Sequence, residues 1–175
     1  MRVARLQCTQ SSTVALRPDG DNSARNPDQE AVSRLIGRRP FTVYSVAVRC
    51  PGGGPAVLSN EPVDQTGHPF PTRYWLACRR LRDAVSRLEA DGGVRELESD
   101  ARMHEAVLAA NARHCALHAG HNIAGIADPR RVKCLHAHLA FSLAEGGNPV
   151  GEWIAQRTPI SWPSHGCCAT NRHCQ

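Results

Sequence analysis

The sequence predicts an α+β fold, with a small antiparallel sheet of about three strands in the first half packed on a helical second half. Two observations carry this. β-Branched and aromatic residues crowd the stretch from Phe41 to Ala77, whereas from Leu81 onward apolar residues recur at helical spacing between glycine and proline breaks. Strands first and helices after is the order of an α+β domain, not of a wound parallel sheet. With 175 residues, 41% of them hydrophobic, the chain is long enough to bury one core without a metal or disulfide to hold it.

The elements follow in order. Residues 1–26 offer no apolar period and read as a disordered tail ahead of a single domain over 27–163, with a Cys/His-rich tail over 164–175. Asn26 and Pro27 open a short helix whose stripe is Ala31, Val32, Leu35 and Ile36, and Gly37 closes it. Phe41 to Val48 reads as a strand, Pro51 to Pro55 as a glycine turn, Ala56 to Leu58 as a second strand, and Thr72 to Ala77 as a third after a proline-rich loop from Glu61 to Pro71. Leu81, Val85 and Leu88 mark a helix stopped at Asp91, Gly92 and Gly93, with Val94 and Leu97 adding another turn or two. Asp100 caps a helix running to Gly120 with the stripe Met103, Val107, Ala110, His114 and Leu117. Asp128 and Pro129 open a helix facing inward through Val132, Leu135, Leu139 and Leu143, and Asn148 and Pro149 open the last one, carrying Trp153 and Ile154.

Composition narrows the function classes. No apolar run approaches the roughly 18 to 20 residues of a spanning helix, and Met1 to Gln10 lacks a secretion-signal stretch. The expectation is therefore a cytoplasmic protein, without membrane insertion, whose eight cysteines are reduced. Lys133 is the only lysine among 21 basic residues, and the net charge is +5. Arginine grips phosphate and carboxylate with paired hydrogen bonds, but the basic residues are interspersed with acidic ones and aromatic platforms are few, which argues against nucleic acid. No phosphate-binding glycine loop, dinucleotide fingerprint, nucleophile elbow or zincin motif occurs.

The segment from Asp128 to His136 is the most informative. Arg130, Arg131 and Lys133 fall in the first turns of the expected helix, where unpaired N–H groups already favour negative charge. Something anionic must compensate: either an external phosphate or carboxylate, with Arg130, Arg131, Lys133 and His136 binding it, or Asp and Glu on neighbouring elements. Cys134 and His136, two apart on a helix, point in different directions, whereas Cys134 and His138 share a face. A thiol near cations at a helix start is also a candidate nucleophile, so Cys134 and His136 are the catalytic candidates of an enzyme reading, with core packing as the alternative. His114, His118 and His121 have the spacing of a helical metal site or of core histidines. The tail, with His165, Cys167, Cys168, His173 and Cys174, lacks the paired spacing of a zinc finger.

Several motifs together resemble a known family. Arg49-Cys50-Pro51, Gly67 to Thr72 with Tyr74 to Leu76, Ser86 to Ala90, Arg131 to His136 and Asn148-Pro149 are similar to the bacterial family catalogued as domain of unknown function 501, over about residues 28–168. The resemblance implies cysteines matching Cys50, Cys78, Cys134 and Cys167, a set suited to structural zinc tying the strand half to the helix half. Gly52 stands where the family often has a further cysteine, and Phe141 where it often has a histidine. Family genes often neighbour those for a septum-formation initiator and an exopolyphosphatase, which implies an adaptor in a division or envelope complex as a third reading. The leading expectation is a protein that binds an anionic, phosphorylated ligand or partner around a structural metal. Its rival is a small enzyme acting on a phosphorylated or carboxylated substrate.

Overall fold

The computed structural model describes residues 28–159 and Trp162; both expected tails, Cys167 and the expected cap at Asn26 lie outside the described residues. The α+β order is as the sequence predicts. α1 (Gln29–Ile36) precedes the strands β1 (Thr42–Arg49), β2 (Pro55–Asp64) and β3 (Tyr74–Leu76), which form an antiparallel sheet in the order β1-β2-β3. Then come α2 (Arg79–Ala90), α3 (Gly93–Ser99), α4 (His104–Leu117), α5 (Leu135–Glu145) and α6 (Pro149–Arg157). No helix among the described residues is long and apolar enough to cross a membrane.

Alternation along the strands gives the sheet two apolar faces. Leu58 and Ala77, with Tyr44, Val46 and Trp75, meet Val32 and Ile36 of α1. Val57, Tyr74 and Leu76 turn the other way, into a larger core built with Leu81, Leu97, Val107, Phe141 and Ile154 of the helices. α5 runs through that core, and every residue from Ala137 to Phe141 is buried.

Three expectations are corrected. β2 is longer than Ala56 to Leu58, continuing through Pro62; proline has no N–H to give, but the Pro62 carbonyl accepts from the Phe70 N–H at 2.7 Å, so pairing persists beyond it. The inward stripe of α4 ends on His118, not Leu117: Leu117 is 40% exposed, while His118 continues the buried line of Val107, Asn111 and His114. Finally, no helix starts at Pro129. Asp128 organises a single turn, its carbonyl accepting from Arg131 N–H and its carboxylate from Arg130 N–H, both at 3.0 Å, and α5 starts only at Leu135. Three cations at a helix start oppose the dipole, and carboxylates from other elements take the N–H groups of this segment instead.

Asn111 fixes where the segment before α5 lies. It is fully buried, its Oδ1 accepts from Ile123 N–H at 2.9 Å, and its Nδ2 donates to the Pro129 carbonyl at 2.9 Å. Asn111→Ala leaves both backbone groups without that partner and is expected to cost about 2 kcal/mol, read by urea unfolding. A cost below about 0.5 kcal/mol would mean that water replaces the amide.

Candidate functional site

Two glutamates from the α2–α3 pair hold the segment Arg131 to His136 in place. Glu98 accepts from Val132 N–H at 2.8 Å and pairs with Arg131 at 3.0 Å. Glu89 accepts from Leu135 N–H at 2.6 Å and lies 3.2 Å from His136 Nδ1. The cap of α5 therefore comes from another helix, because Cys134, its N-cap residue, makes no side-chain cap. The compensating anions are carboxylates of the chain itself. The other two cations are also engaged: Arg130 pairs with Asp128 at 3.2 Å, and Lys133 Nζ donates to the Ala124 carbonyl at 3.1 Å.

Cys134 has an extended backbone (φ −155°, ψ 118°) rather than a helical one. That corrects the expected separation of Cys134 from His136, since the helical offset does not apply outside the helix. Its Sγ lies 3.8 Å from His136 Nδ1. Cys134 lies outside the helix, so the helical spacing that would give it a face in common with His138 does not apply either, and His138 is buried on α5 while Cys134 is partly exposed.

The other ring nitrogen of His136 is tied down. Nε2–H donates to the Arg82 carbonyl at 3.1 Å, with Ser86 Oγ at 3.2 Å. Nδ1 is thereby turned toward both Glu89 and Cys134. Burial works against a charge on His136, but the Cys134 sulfur and the Glu89 carboxylate outweigh it and raise its pKa to about 10. Burial likewise opposes ionisation of Glu89, yet hydrogen bonds from His136 and from the N–H groups of Leu135 and His136 hold its carboxyl below the ordinary value.

Glu89, Cys134 and His136 offer one oxygen, one sulfur and one nitrogen, all within 4.8 Å of one another, and are the one such group of three or more His, Cys, Asp or Glu among the described residues. A nucleophile–base–orienter relay uses both imidazole nitrogens, one for each neighbour. Here both neighbours meet Nδ1. The two separations from Nδ1, 3.2 Å and 3.8 Å, lie close to the roughly 3.3 to 3.8 Å ligand–ligand edges of a tetrahedral ion with bonds of about 2.0 to 2.3 Å, and Cys134 Sγ stands within 4.8 Å of Glu89. Glu89 and His136 keep side-chain exposures of 27% and 23%, so solvent reaches the cluster.

The remaining candidates lie elsewhere. Cys50 and Cys78 are buried and do not join this group. His114, His118 and His121 do not converge on one point within that distance either, and Cys115 is disulfide-bonded, so the expectation of reduced thiols fails there. Glu89 had no role in the sequence reading. It stands within the motif Ser86 to Ala90, but nothing in its spacing points to Leu135, 46 residues away.

Fold and site together define an α+β protein with helices on both faces of a three-stranded sheet and a mixed O, S, N donor cluster at a helix start. Two overlapping segments of the chain, residues 46–122 and 104–156, match the family described as protein of unknown function (DUF501), and the chain belongs to that family. No curated protein and no solved structure gives a significant match.

Proposed function

We propose that this protein binds one divalent ion of the zinc class through Glu89 Oε1, Cys134 Sγ and His136 Nδ1. The observation that carries this reading is the convergence of three unlike donors on one point, with His136 Nε2 held by a backbone carbonyl so that Nδ1 faces them. A ligating imidazole is normally oriented by such a bond from its other nitrogen, and a thiolate, imidazole and carboxylate set suits zinc better than calcium or magnesium. Three protein ligands leave a fourth position for water, an anionic oxygen or a ligand from the C-terminal segment, where Cys167 is the candidate. An anionic ligand is thus read as meeting the metal, not the cations Arg130, Arg131 and Lys133, which are already engaged.

The test is equilibrium dialysis of the chelator-stripped full chain against zinc. One equivalent is expected to be retained. Cys134→Ser and His136→Gln are expected to weaken binding by more than about a hundredfold, since removing a group that only orients a ligand already costs roughly 10–100-fold. Cys50→Ser and Cys78→Ser should bind as the wild type does. If those two variants lose the ion while Cys134→Ser keeps it, the metal sits on the thiol set implied by the family resemblance, and this reading is wrong. Cys167→Ser and a parallel titration with inorganic phosphate identify what fills the fourth position.

A further inference from the structure

The cluster at the start of α5 leaves the buried histidines of α4 without a role. His114 and His118 are 2% and 1% exposed, with ring centroids 5.3 Å apart. Each spends one N–H on a backbone carbonyl outside α4. His114 Nδ1 donates to His121 O and His118 Nε2 donates to Phe70 O, both at 2.7 Å. These bonds fasten the end of α4 to the loop that follows it and to the chain leading into β3. His118 Nδ1 is buried and has no partner among the described residues.

Neutral imidazoles satisfy this arrangement, and imidazolium ions do not. A second proton on His118 would sit on Nδ1, buried against nothing that accepts it. The groups facing the pair supply no negative charge. From the chain entering β3 comes the Arg73 guanidinium, which donates to Tyr74 Oη at 3.0 Å and to the Leu117 carbonyl at 3.1 Å. The loop after α4 contributes His121, and α5 contributes the buried His138 and the ring of Phe141. The carboxylate on this side of α5, Glu145, accepts from Tyr74 Oη and pairs with Arg113 at 3.5 Å. Among the described residues, no carboxylate bonds to either ring.

We propose that His114 and His118 form an acid-sensitive latch, so that acidification releases the end of α4 from the loop that follows it and from the chain that leads through Phe70 into β3. Burial drives the pKa of both below the ordinary histidine value, reinforced by the cationic neighbours, and His118 falls to about 4. The sign follows. A histidine whose folded pKa is depressed lets the unfolded chain bind more protons below about pH 6.5, so stability present above that pH is lost as it falls toward the folded value. Between pH 7 and pH 5, His118 alone multiplies the unfolding constant on the order of tenfold. The latch does not depend on metal binding, because neither histidine belongs to the donor cluster.

The slope of unfolding free energy against pH counts the protons and tests the proposal. Over pH 5 to 6, His118→Gln should flatten that slope by about one proton relative to wild type, and His114→Gln should flatten it in the same direction, whatever they do to stability itself. Comparing wild type with variant cancels the titrating groups that do not interact with the replaced ring. If the variants do not fold, proton NMR of the wild-type histidine rings decides, with His118 expected to keep its neutral signal down to pH 5. Amide exchange should accelerate in α4 before α2 on acidification. An unchanged slope, or a His118 ring that titrates near pH 6.5 in the native protein, would overturn the latch.

Discussion

Replacing Gly151 by alanine is expected to lower the unfolding free energy by about 3 kcal/mol or more, the upper part of the range for an overpacked core. Gly151 is buried on α6 where that helix crosses α5. A β-carbon there would stand 2.0 Å from Ser142 Cβ and 2.3 Å from its Oγ, with the His138 carbonyl oxygen at 3.4 Å. Alanine is the better helix former by up to about 1 kcal/mol, so propensity alone predicts the opposite sign; the clash decides because Cβ has no rotamer through which to escape. Asn148, the N-cap of α6, holds the same crossing, its Oδ1 accepting from Val150 N–H at 3.1 Å and its Nδ2 donating to the His138 carbonyl at 3.3 Å. The second variant needed is Ser142→Gly in the Gly151→Ala background, which should recover much of the loss. Urea unfolding followed by circular dichroism reads both. A Gly151→Ala protein within 0.5 kcal/mol of wild type, on the scale of an ordinary surface change, would mean that α5 and α6 do not approach this closely.

Glu89 is expected to show two separable losses. Glu89→Ala removes the acceptor for the first N–H groups of α5 and the partner of His136, for an expected cost of about 2 kcal/mol, held to that size because the carboxylate is partly solvated. Glu89→Gln keeps an oxygen for Leu135 N–H but gives up the charge, so its cost should be nearer 1 kcal/mol. Toward zinc the two variants should be equally poor, since neither carries a carboxylate. Stability that separates the variants while metal binding does not would divide the capping role from the ligating one. Equal zinc binding by Glu89→Gln and wild type would leave Glu89 as a cap alone.

The path from sequence to this account is uneven for physical reasons. The β-branched and aromatic run from Phe41 to Val48, the Gly37 that ends α1 (φ 74°), and the Asn148 cap followed by Pro149 are local signals, and they appear as β1 (Thr42–Arg49), the α1 stop and the α6 start. Local signals failed where a distant group won. Asp128 and Pro129 look like a helix start, but they make a single turn, and Glu98 and Glu89, 34 and 46 residues from the N–H groups they accept, hold the stretch that follows until α5 starts at Leu135. Glu98 supplies the counter-charge of Arg131, the neighbouring-carboxylate alternative that the sequence leaves open beside an external anion. His118 was visible as one of a spaced trio, yet its burial depends on the Phe70 carbonyl arriving from another part of the chain.

Glu89, Cys134 and His136 are proposed as one coordination site. Its most direct test is the absorption spectrum of the chelator-stripped protein titrated with cobalt(II). A thiolate-to-cobalt charge-transfer band should grow to one equivalent with the intense visible bands of a four-coordinate ion, disappear on adding zinc, and be absent from Cys134→Ser. A weak six-coordinate spectrum, the same in wild type and Cys134→Ser, would contradict the claim and leave Glu89 and His136 as the pair that caps α5.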